Sequence, residues 1–132
     1  MSLRVALVVP DRELWSGEAR TVIAKTLEGD IGVLTGHSPV FGILAEGSLV
    51  RIRPDSGGDE VVAAVSGGFF SVADDRVSVL ARQAELGSTV DTSWAQTALD
   101  AAIESGAAEP GGEEPSQVRY YRALLRAAAD RN

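Results

Sequence analysis

Apolar and polar residues alternate between residues 3 and 83, and short turn-like stretches interrupt this alternation repeatedly. Near the start, every second residue is apolar: Leu3, Val5, Leu7 and Val9. Side chains two positions apart lie on the same face of a strand, so each alternating stretch predicts a strand with one apolar face. Further strands are predicted at residues 20–25, 49–53, 60–66, 68–73 and 76–82. Many short strands in close succession are typical of an all-β sandwich or barrel.

The breaks between the later strands are short and rich in Gly and Asp. They read AEGS (45–48), PDSGGD (54–59) and ADDR (73–76). Gly and Asp tolerate the backbone conformations that tight hairpin turns require, so these breaks predict hairpins. Gly67–Gly68 interrupts another apolar run, which predicts a bulge or tight bend inside a strand. The close approach of a ligand is the alternative interpretation of this glycine pair.

The apolar period changes near residue 88 from two residues to about 3.6, which predicts helices. Asp91 or Thr92 can cap the first helix. Its apolar face consists of Ala95, Ala98, Leu99, Ala102 and Ile103. Residues 106–115 contain three Gly and two Pro, so they predict a flexible linker after this helix.

A second amphipathic helix is predicted from about Ser116, directly after Pro115. Its apolar side consists of Val118, Tyr121, Leu125 and Ala128. A separate basic stripe on the same helix consists of Arg119, Arg122 and Arg126. The two helices make a hairpin over residues 88–132, which follows a β domain over residues 1–87.

Composition excludes several kinds of site before any motif is considered. Hydrophobic residues make up 45% of the 132 residues and charged residues 23%, a balance that supports a packed core. The chain has no Cys and one His, which excludes disulfides, thiolate metal sites and His-rich metal sites. Its apolar runs are far shorter than the roughly 20 residues of a membrane-spanning helix. The start of the chain is typical of a strand rather than a signal peptide.

The net charge of −7 argues against a nucleic-acid partner, because phosphate contacts need clustered cations. Residues 1–90 hold eight cations against twelve carboxylates, and residues 91–132 hold four against seven. Both parts are therefore acidic, yet the four cations of the second part all fall in the region of the last helix. The basic stripe is thus a candidate contact surface, with a solvated helix face as the alternative interpretation.

Sequence motifs of common enzymes are missing, since the chain has no GxSxG, GxxxxGK[ST], GxGxxG or HExxH. Carboxylate pairs occur at Asp74–Asp75 and Glu113–Glu114, both in turn or loop sequence, where solvated charge is the usual state. His37 has no second His or Cys to complete a metal site, and a loop histidine that hydrogen-bonds its neighbours is the favoured interpretation. We therefore predict no catalytic residues and no metal site.

Five stretches of the β region follow one another in a fixed order. They read PDRELWSGEA (10–19), KTLEGDIGVLTGHSP (25–39), ILAEGSLVRI (43–52), VSGGFFSVADDRVSVLA (65–81) and AEL (84–86) with Val90–Asp91. In this order they resemble the epsilon subunits of F-type, proton-translocating ATP synthases. The resemblance covers residues 4–91, and a helical pair follows it in the matching place.

The resemblance implies a mainly β fold, namely a ten-stranded β-sandwich followed by a C-terminal two-helix hairpin. It also implies a non-catalytic subunit of the central stalk, whose sandwich attaches to the gamma subunit and to the membrane ring of c subunits. The hairpin of such proteins lies on the sandwich or extends towards the alpha and beta subunits, where it restrains ATP hydrolysis. Arg119, Arg122 and Arg126 would be its regulatory contacts. The implied location is the cytoplasmic face of the bacterial cell membrane, peripheral to the membrane itself.

Some relatives bind ATP through an I/L-D-x-x-R-A motif at the start of the first C-terminal helix. In the matching stretch here, Asp91 and Ala95 are kept, and Trp94 stands at the Arg position. An indole offers one N–H donor and no charge in place of the guanidinium. The ATP candidates are therefore Asp91, Ala95, Arg122 and Arg126, although Asp91 also fits a plain helix cap. The alternative function is an ATP-sensing β-sandwich with the helices as a lid, and no other cofactor is expected.

Overall fold

A computed structural model describes residues 2–105 and 114–130 of the chain. Seven strands come first: β1 (Leu3–Val9), β2 (Arg12–Thr26), β3 (Gly29–Val33), β4 (Val40–Ile43), β5 (Ser48–Pro54), β6 (Val61–Ala73) and β7 (Arg76–Leu86). A 3-10 turn at Gly87–Thr89 leads into two helices, α1 (Thr92–Glu104) and α2 (Ser116–Asp130). The predicted mainly β fold with a C-terminal helical pair is confirmed. Most of the linker predicted at residues 106–115 lies outside the described residues.

Five of the strands close into a ring in the order β1–β7–β6–β5–β2, because β1 pairs with both β7 and β2. The β1–β7 pair is parallel, and the other strand pairs are antiparallel. The two short strands join this ring from outside, β3 beside β2 and β4 beside β6. Each ring strand therefore has a neighbour on both sides over at least part of its length, which limits exposed sheet edges.

The resemblance implied ten strands, whereas the described residues form seven. The difference arises because the long strands change partners along their length. The first half of β6 pairs with β5 and its second half with β4. Likewise, β2 pairs first with β1 and then with β3 and β5. The separate strands predicted at residues 60–66 and 68–73 are accordingly the two halves of one continuous β6.

The interior of the sandwich is built from alternate residues of the strands. As predicted for β1, β2 and β5, the buried set includes Leu3, Val5, Leu7, Val22, Ala24, Val50 and Ile52. The later strands β6 and β7 add Phe70, Val72, Val77 and Val79. Alternation predicts Arg20 on the same face as Val22 and Ala24, but Arg20 is exposed, because the register of β2 against β5 shifts between Ala19 and Thr21.

Gly67–Gly68 lies inside β6, as the sequence predicted for a glycine pair within a strand. Both residues have positive φ, at 71° and 108°. A Cβ atom added at Gly68 would overlap the carbonyl oxygen of Leu80 in β7. Glycine is therefore required where these two backbones approach closely, and the approaching group is a strand of the protein itself.

Asp91 caps α1 as predicted, and its side-chain oxygen accepts the backbone N–H of Trp94 at 3.1 Å. The buried residues of α1 are Ala95 and Leu99, whereas Ile103 is 45% exposed. This exposure arises because α1 packs mainly on α2, and α2 is the helix that lies along the sheet. The predicted apolar face of α1 is thus buried mainly in its first half.

Helix α2 packs on β5, β6 and the 3-10 turn. Its buried residues are Val118, Tyr120, Ala123, Leu124, Ala127 and Ala128. Tyr121 and Leu125, which the sequence placed on the apolar side, are only partly buried. The buried face differs from the prediction because α2 contacts the sheet on one side and α1 on the other. The packing is so close that a Cβ atom at Gly87 would overlap the carbonyl oxygen of Ala127.

Candidate functional site

A groove of about 920 Å³ lies between α2 and the outer face of the sandwich. Six cationic side chains line this groove: Lys25, Arg51, Arg82, Arg119, Arg122 and Arg126. Three carboxylates line it as well: Asp30, Glu46 and Glu114. This surface, which we call the basic groove, therefore has a formal charge of +3 in a chain whose net charge is −7.

The basic stripe predicted on the last helix forms one side of the basic groove. The Arg122 guanidinium donates to both carboxylate oxygens of Glu114, at 3.2 Å to Oε1 and 2.8 Å to Oε2. Arg126 Nη2 donates to the carbonyl oxygen of Gly47, in the turn before β5, at 3.0 Å. Arg119 lines the groove beside them. The stripe thus faces the sandwich in this conformation, and Arg126 connects α2 directly to it.

A second connection between α2 and the sandwich is formed by Arg51, on the polar face of β5. Its Nη2 donates to Asp130 Oδ2 at 2.6 Å, and its Nη1 donates to Glu60 Oε1 at 3.2 Å. The pKa of Arg51 is raised, mainly because its guanidinium is hydrogen-bonded to Asp130. Sequence reasoning missed this pair, because the two residues are 79 positions apart and no local pattern relates them. Both side chains are partly exposed, so the pair adds about 1 kcal/mol or less to docking.

Tyr120 lies at the centre of the contact between α2 and the sandwich and is 7% exposed. Burial raises the pKa of its phenol to about 12, and electrostatic interactions with Glu85 and Tyr121 contribute less. The phenol is therefore neutral throughout the physiological pH range. Its ring packs beside that of Tyr121, with 6.4 Å between the ring centroids. Tyr120 thus contributes packing rather than proton transfer.

Only two of the four ATP candidates line the basic groove. Arg122 and Arg126 line the basic groove, whereas Asp91 and Ala95 are not among its lining residues. Asp91 is engaged as the cap of α1, and Ala95 is fully buried in the cluster beneath α2. Trp94, which stands at the Arg position of the family motif, is 57% exposed. Its ring packs edge to face against that of Tyr121, with 5.8 Å between the ring centroids.

Two of the remaining candidates for chemistry, Asp75 and His37, have structural partners. Asp75 Oδ1 accepts the backbone N–H of Gly36 at 2.7 Å, and it lies in the tight turn between β6 and β7. His37 Nδ1 lies 2.6 Å from its neighbour's carbonyl oxygen, that of Ser38. Glu113 lies outside the described residues. Over residues 2–105 and 114–130, no group of three or more His, Asp or Glu side chains is placed to hold a metal ion. Neither α1 nor α2 is long and apolar enough to cross a membrane.

An exposed apolar patch covers the outer face of β4, β6 and β7. It consists of Phe41, Ile43, Phe69 and Leu80, which are 66%, 50%, 47% and 46% exposed. In the sheet, Ile43 is the partner of Phe69, and Phe69 is the partner of Leu80. The rings of Phe41 and Phe69 lie beside each other, with 5.3 Å between their centroids. We call this set the aromatic patch.

Sequence reasoning did not predict the aromatic patch, although one signal was present. Phe69 and Phe70 are consecutive in a strand, so their side chains must point to opposite faces. Phe70 is fully buried in the sandwich, and Phe69 is consequently placed on the outer face. The sequence pattern alone does not show whether that outer face is exposed, because strands that are buried between two layers are also apolar on both faces.

The fold and these two surfaces define a β-sandwich subunit with a docked C-terminal helical hairpin. The family model described as "ATP synthase, Delta/Epsilon chain, beta-sandwich domain" matches residues 2–87. The chain is 50% identical over 129 residues to the ATP synthase epsilon chain of Streptomyces coelicolor, covering 98% of this chain and 97% of that one. It is 48% identical over 127 residues to the ATP synthase epsilon chain of Thermobifida fusca, covering 96% and 91%. The chain belongs to the ATP synthase epsilon chain family.

Two solved structures have the same fold. One is a chain of the mitochondrial ATP synthase of Euglena gracilis, with a TM-score of 0.73, 24% identity and coverage of 97% of this chain and 81% of that one. The other is a chain of the central stalk and c-ring of the Tetrahymena thermophila mitochondrial ATP synthase, with a TM-score of 0.56, 17% identity and coverage of 92% and 95%. The family resemblance inferred from the ordered β-region motifs is therefore confirmed.

Proposed function

We propose that the chain is a non-catalytic subunit of the central stalk of a proton-translocating ATP synthase. In this proposal the β-sandwich joins the gamma subunit to the c-ring, and the helical hairpin restrains ATP hydrolysis through the alpha and beta subunits. The protein then works at the cytoplasmic face of the bacterial cell membrane, peripheral to it. The observation that carries the proposal is the aromatic patch, an apolar surface on the outside of a closed sandwich.

The aromatic patch has the composition of a protein interface. Large exposed apolar patches on soluble domains mark interaction sites, and aromatic residues are enriched at interface centres. Covering Phe41 and Phe69 alone would remove on the order of 200 Å² of apolar surface from water, which corresponds to roughly 5 kcal/mol before the costs of association. An exposed apolar surface of this kind is what a subunit that joins two others requires.

The related structures support the same assembly. One is described as part of the central stalk and c-ring, and the other as part of the F1 and c-ring assembly. These descriptions refer to those proteins, and this chain shares their fold. We assign the gamma subunit to the aromatic patch because a stable subunit contact needs an apolar centre.

The first test removes the aromatic patch. We expect the double variant Phe41→Ser with Phe69→Ser to weaken binding of the purified gamma subunit about 30-fold, or roughly 2 kcal/mol, because it removes two interface aromatics. Titration calorimetry of the full chain with gamma measures the dissociation constant. Thermal unfolding verifies that the variant keeps the fold, since both side chains lie outside the core.

The matched control is Ile103→Ser, which removes a large apolar side chain of similar exposure from α1. We expect this variant to bind gamma as the natural chain does. If the double variant binds gamma with unchanged affinity, the aromatic patch is not the gamma contact. If the natural chain does not bind gamma at all, the proposed function itself is wrong.

The regulatory part of the proposal requires a hairpin that can leave the sandwich. The polar connections through Arg51 and Arg126 are partly exposed and individually weak. The apolar contact of α2 is a cluster separate from the sandwich interior, so the hairpin can undock without opening the main core. In the undocked state Arg119, Arg122 and Arg126 would contact acidic surfaces of the alpha and beta subunits.

A second candidate function is ATP sensing, and one observation favours it. Arg122 and Arg126 line a groove of about 920 Å³ with a formal charge of +3, which suits a polyphosphate. If the groove holds ATP, titration calorimetry of the isolated chain with ATP and Mg²⁺ gives heat, and Arg126→Ala weakens binding at least about tenfold. Asp91→Ala tests whether the ATP site includes the start of α1. This variant weakens ATP binding only if Asp91 is part of the site. Absence of heat removes this candidate and leaves the stalk function.

A further inference from the structure

The apolar residues that line the basic groove, which we call its apolar base, all belong to the sandwich, and two of them are shared with the aromatic patch. Ile23 and Leu27, from β2 and the turn after it, line the groove and are 37% and 69% exposed. Ile43 and Phe69 belong to the aromatic patch and also line the groove. A partner that covers the patch therefore meets, at its edge, an apolar strip bordered by cations.

The basic groove is lined by two parts of the protein, the sandwich and α2. Lys25, Arg51 and Arg82 belong to the sandwich, whereas the three arginines of the stripe belong to α2. Half of the chain's 12 Lys and Arg residues line this one groove. The complete groove, with cations on both sides of an apolar base, exists only while α2 is docked.

We propose that the basic groove binds an acidic, amphipathic segment of the same partner that covers the aromatic patch. Binding there stabilises the docked hairpin, because the segment contacts the sandwich and α2 together. The inference rests on the proposed function, since it takes the rotor partner at the patch as given. It adds the chemistry of the segment and a physical link between rotor contact and the position of the hairpin.

The chemistry of the groove favours such a segment. The α2 side of the groove already binds a carboxylate of the protein, since Arg122 contacts both oxygens of Glu114. Paired Arg–carboxylate contacts are directional and strong for their size. The exposed Ile23, Leu27 and Ile43 favour a ligand with apolar side chains between its acidic ones. A segment in which acidic and apolar residues alternate has this property. Phosphate groups alone would leave this apolar base in contact with water.

The proposed link follows from binding equilibrium. A ligand that binds the docked state alone increases the ratio of docked to undocked protein by a factor of one plus the ligand concentration over its dissociation constant. At ten times the dissociation constant the ratio rises about elevenfold. Binding of the rotor partner should therefore slow hydrogen exchange of the α2 amides.

The test changes the sandwich side of the groove and leaves the contacts of α2 untouched. We expect Lys25→Gln with Arg82→Gln to weaken gamma binding about tenfold at low ionic strength, because two cations facing the acidic segment are lost. We also expect this variant to show a smaller salt dependence of the dissociation constant. Hydrogen exchange, measured with and without purified gamma, should show protection of α2 in the natural chain and much less in the variant.

The matched control is Arg4→Gln with Arg12→Gln, which removes two exposed cations outside the groove. If the groove variant and this control bind gamma with equal affinity and equal salt dependence, the inference is wrong even though the patch variant still binds gamma more weakly than the natural chain. If the natural chain does not bind gamma at all, the proposed function fails instead. If Mg²⁺-ATP binds the isolated chain and the groove variant abolishes that binding, the groove is a nucleotide site and the inference is overturned.

Discussion

Replacing Gly68 by alanine is expected to lower the free energy of unfolding by about 4 kcal/mol or more. Its φ of 108° lies in a region that residues with a Cβ atom rarely adopt. The added methyl would also overlap the carbonyl oxygen of Leu80, and a backbone atom cannot move aside as a flexible side chain can. Because β6 and β7 are central strands of the closed ring, relieving the overlap would disturb their pairing along its length.

Urea unfolding followed by circular dichroism measures this loss. Since domains of this size are stable by only about 5–15 kcal/mol, part of the variant protein should be unfolded or insoluble at 37 °C. The control is Gly32→Ala in β3, where no heavy atom lies near the added Cβ and φ is not positive. That change should stay within about 0.5 kcal/mol of the natural chain. Equal stability of the two variants would contradict the close approach of β6 and β7.

Local signals in the sequence predicted the parts of the fold that depend on local physics. Alternation predicted the buried faces of β1 and β5, and the Gly- and Asp-rich breaks predicted the turns between strands. The side chain of Asp91 predicted the start of α1. In each case the cause lies within a few residues, because strand faces, turns and caps are set by neighbouring backbone angles and side chains.

Features that depend on distant pairing were not predicted from the sequence. The parallel pairing of β1 with β7 joins residues about 70 positions apart and closes the ring. The continuity of β6 was missed because Gly67–Gly68 interrupts the alternation, so residues 60–66 and 68–73 were predicted as two strands. The buried face of α2 was misplaced because a helix that contacts two neighbours buries more than one side. Helical periodicity identifies an apolar side but not how many neighbours cover it.

In the candidate site too, features set by local sequence were predicted and features set by distant residues were not. The basic stripe of α2 was predicted from spacing along one helix, and the structure places it along the groove. The contribution of Lys25 and Arg82 was not predicted, since only the tertiary fold places them opposite α2. The aromatic patch was signalled by consecutive phenylalanines. Asp91 and Ala95 were transferred as ATP candidates from a family motif, and in this conformation neither lines the groove with Arg122 and Arg126.

Docking of the hairpin rests mainly on apolar packing rather than on its ion pairs. The contact beneath α2 is a separate cluster that includes Val62 and Ala64, the outward residues of β6, together with Leu124 of the helix. Burying a leucine contributes roughly 2–3 kcal/mol, whereas a partly exposed ion pair contributes about 1 kcal/mol or less. A change at Leu124 should therefore shift the docking equilibrium more than a change at Arg51 or Arg126.

Replacing Leu124 by aspartate is accordingly expected to undock α2 while the sandwich stays folded. Leu124 is 1% exposed, so the variant loses a buried apolar side chain and places a carboxylate among the apolar residues of this cluster. We expect a loss of about 4 kcal/mol in docking, which corresponds to roughly a thousandfold change in the ratio of docked to undocked protein. Hydrogen exchange of the α2 amides should reach the rate of an unprotected segment, while exchange in β1 and β7 is unchanged.

The same variant tests regulation in the assembled enzyme. If the undocked hairpin is the state that restrains the alpha and beta subunits, a complex containing Leu124→Asp should hydrolyse ATP more slowly than one with the natural chain. Gln117→Asp is the matched control, because it adds the same charge at an exposed position of α2 and should leave both docking and hydrolysis unchanged. Protected α2 amides in Leu124→Asp would contradict the docking contact described here. Exchange of the α2 amides at the unprotected rate, together with unchanged or faster ATP hydrolysis, would instead contradict the inhibitory role. The hairpin would then be released without restraining the alpha and beta subunits.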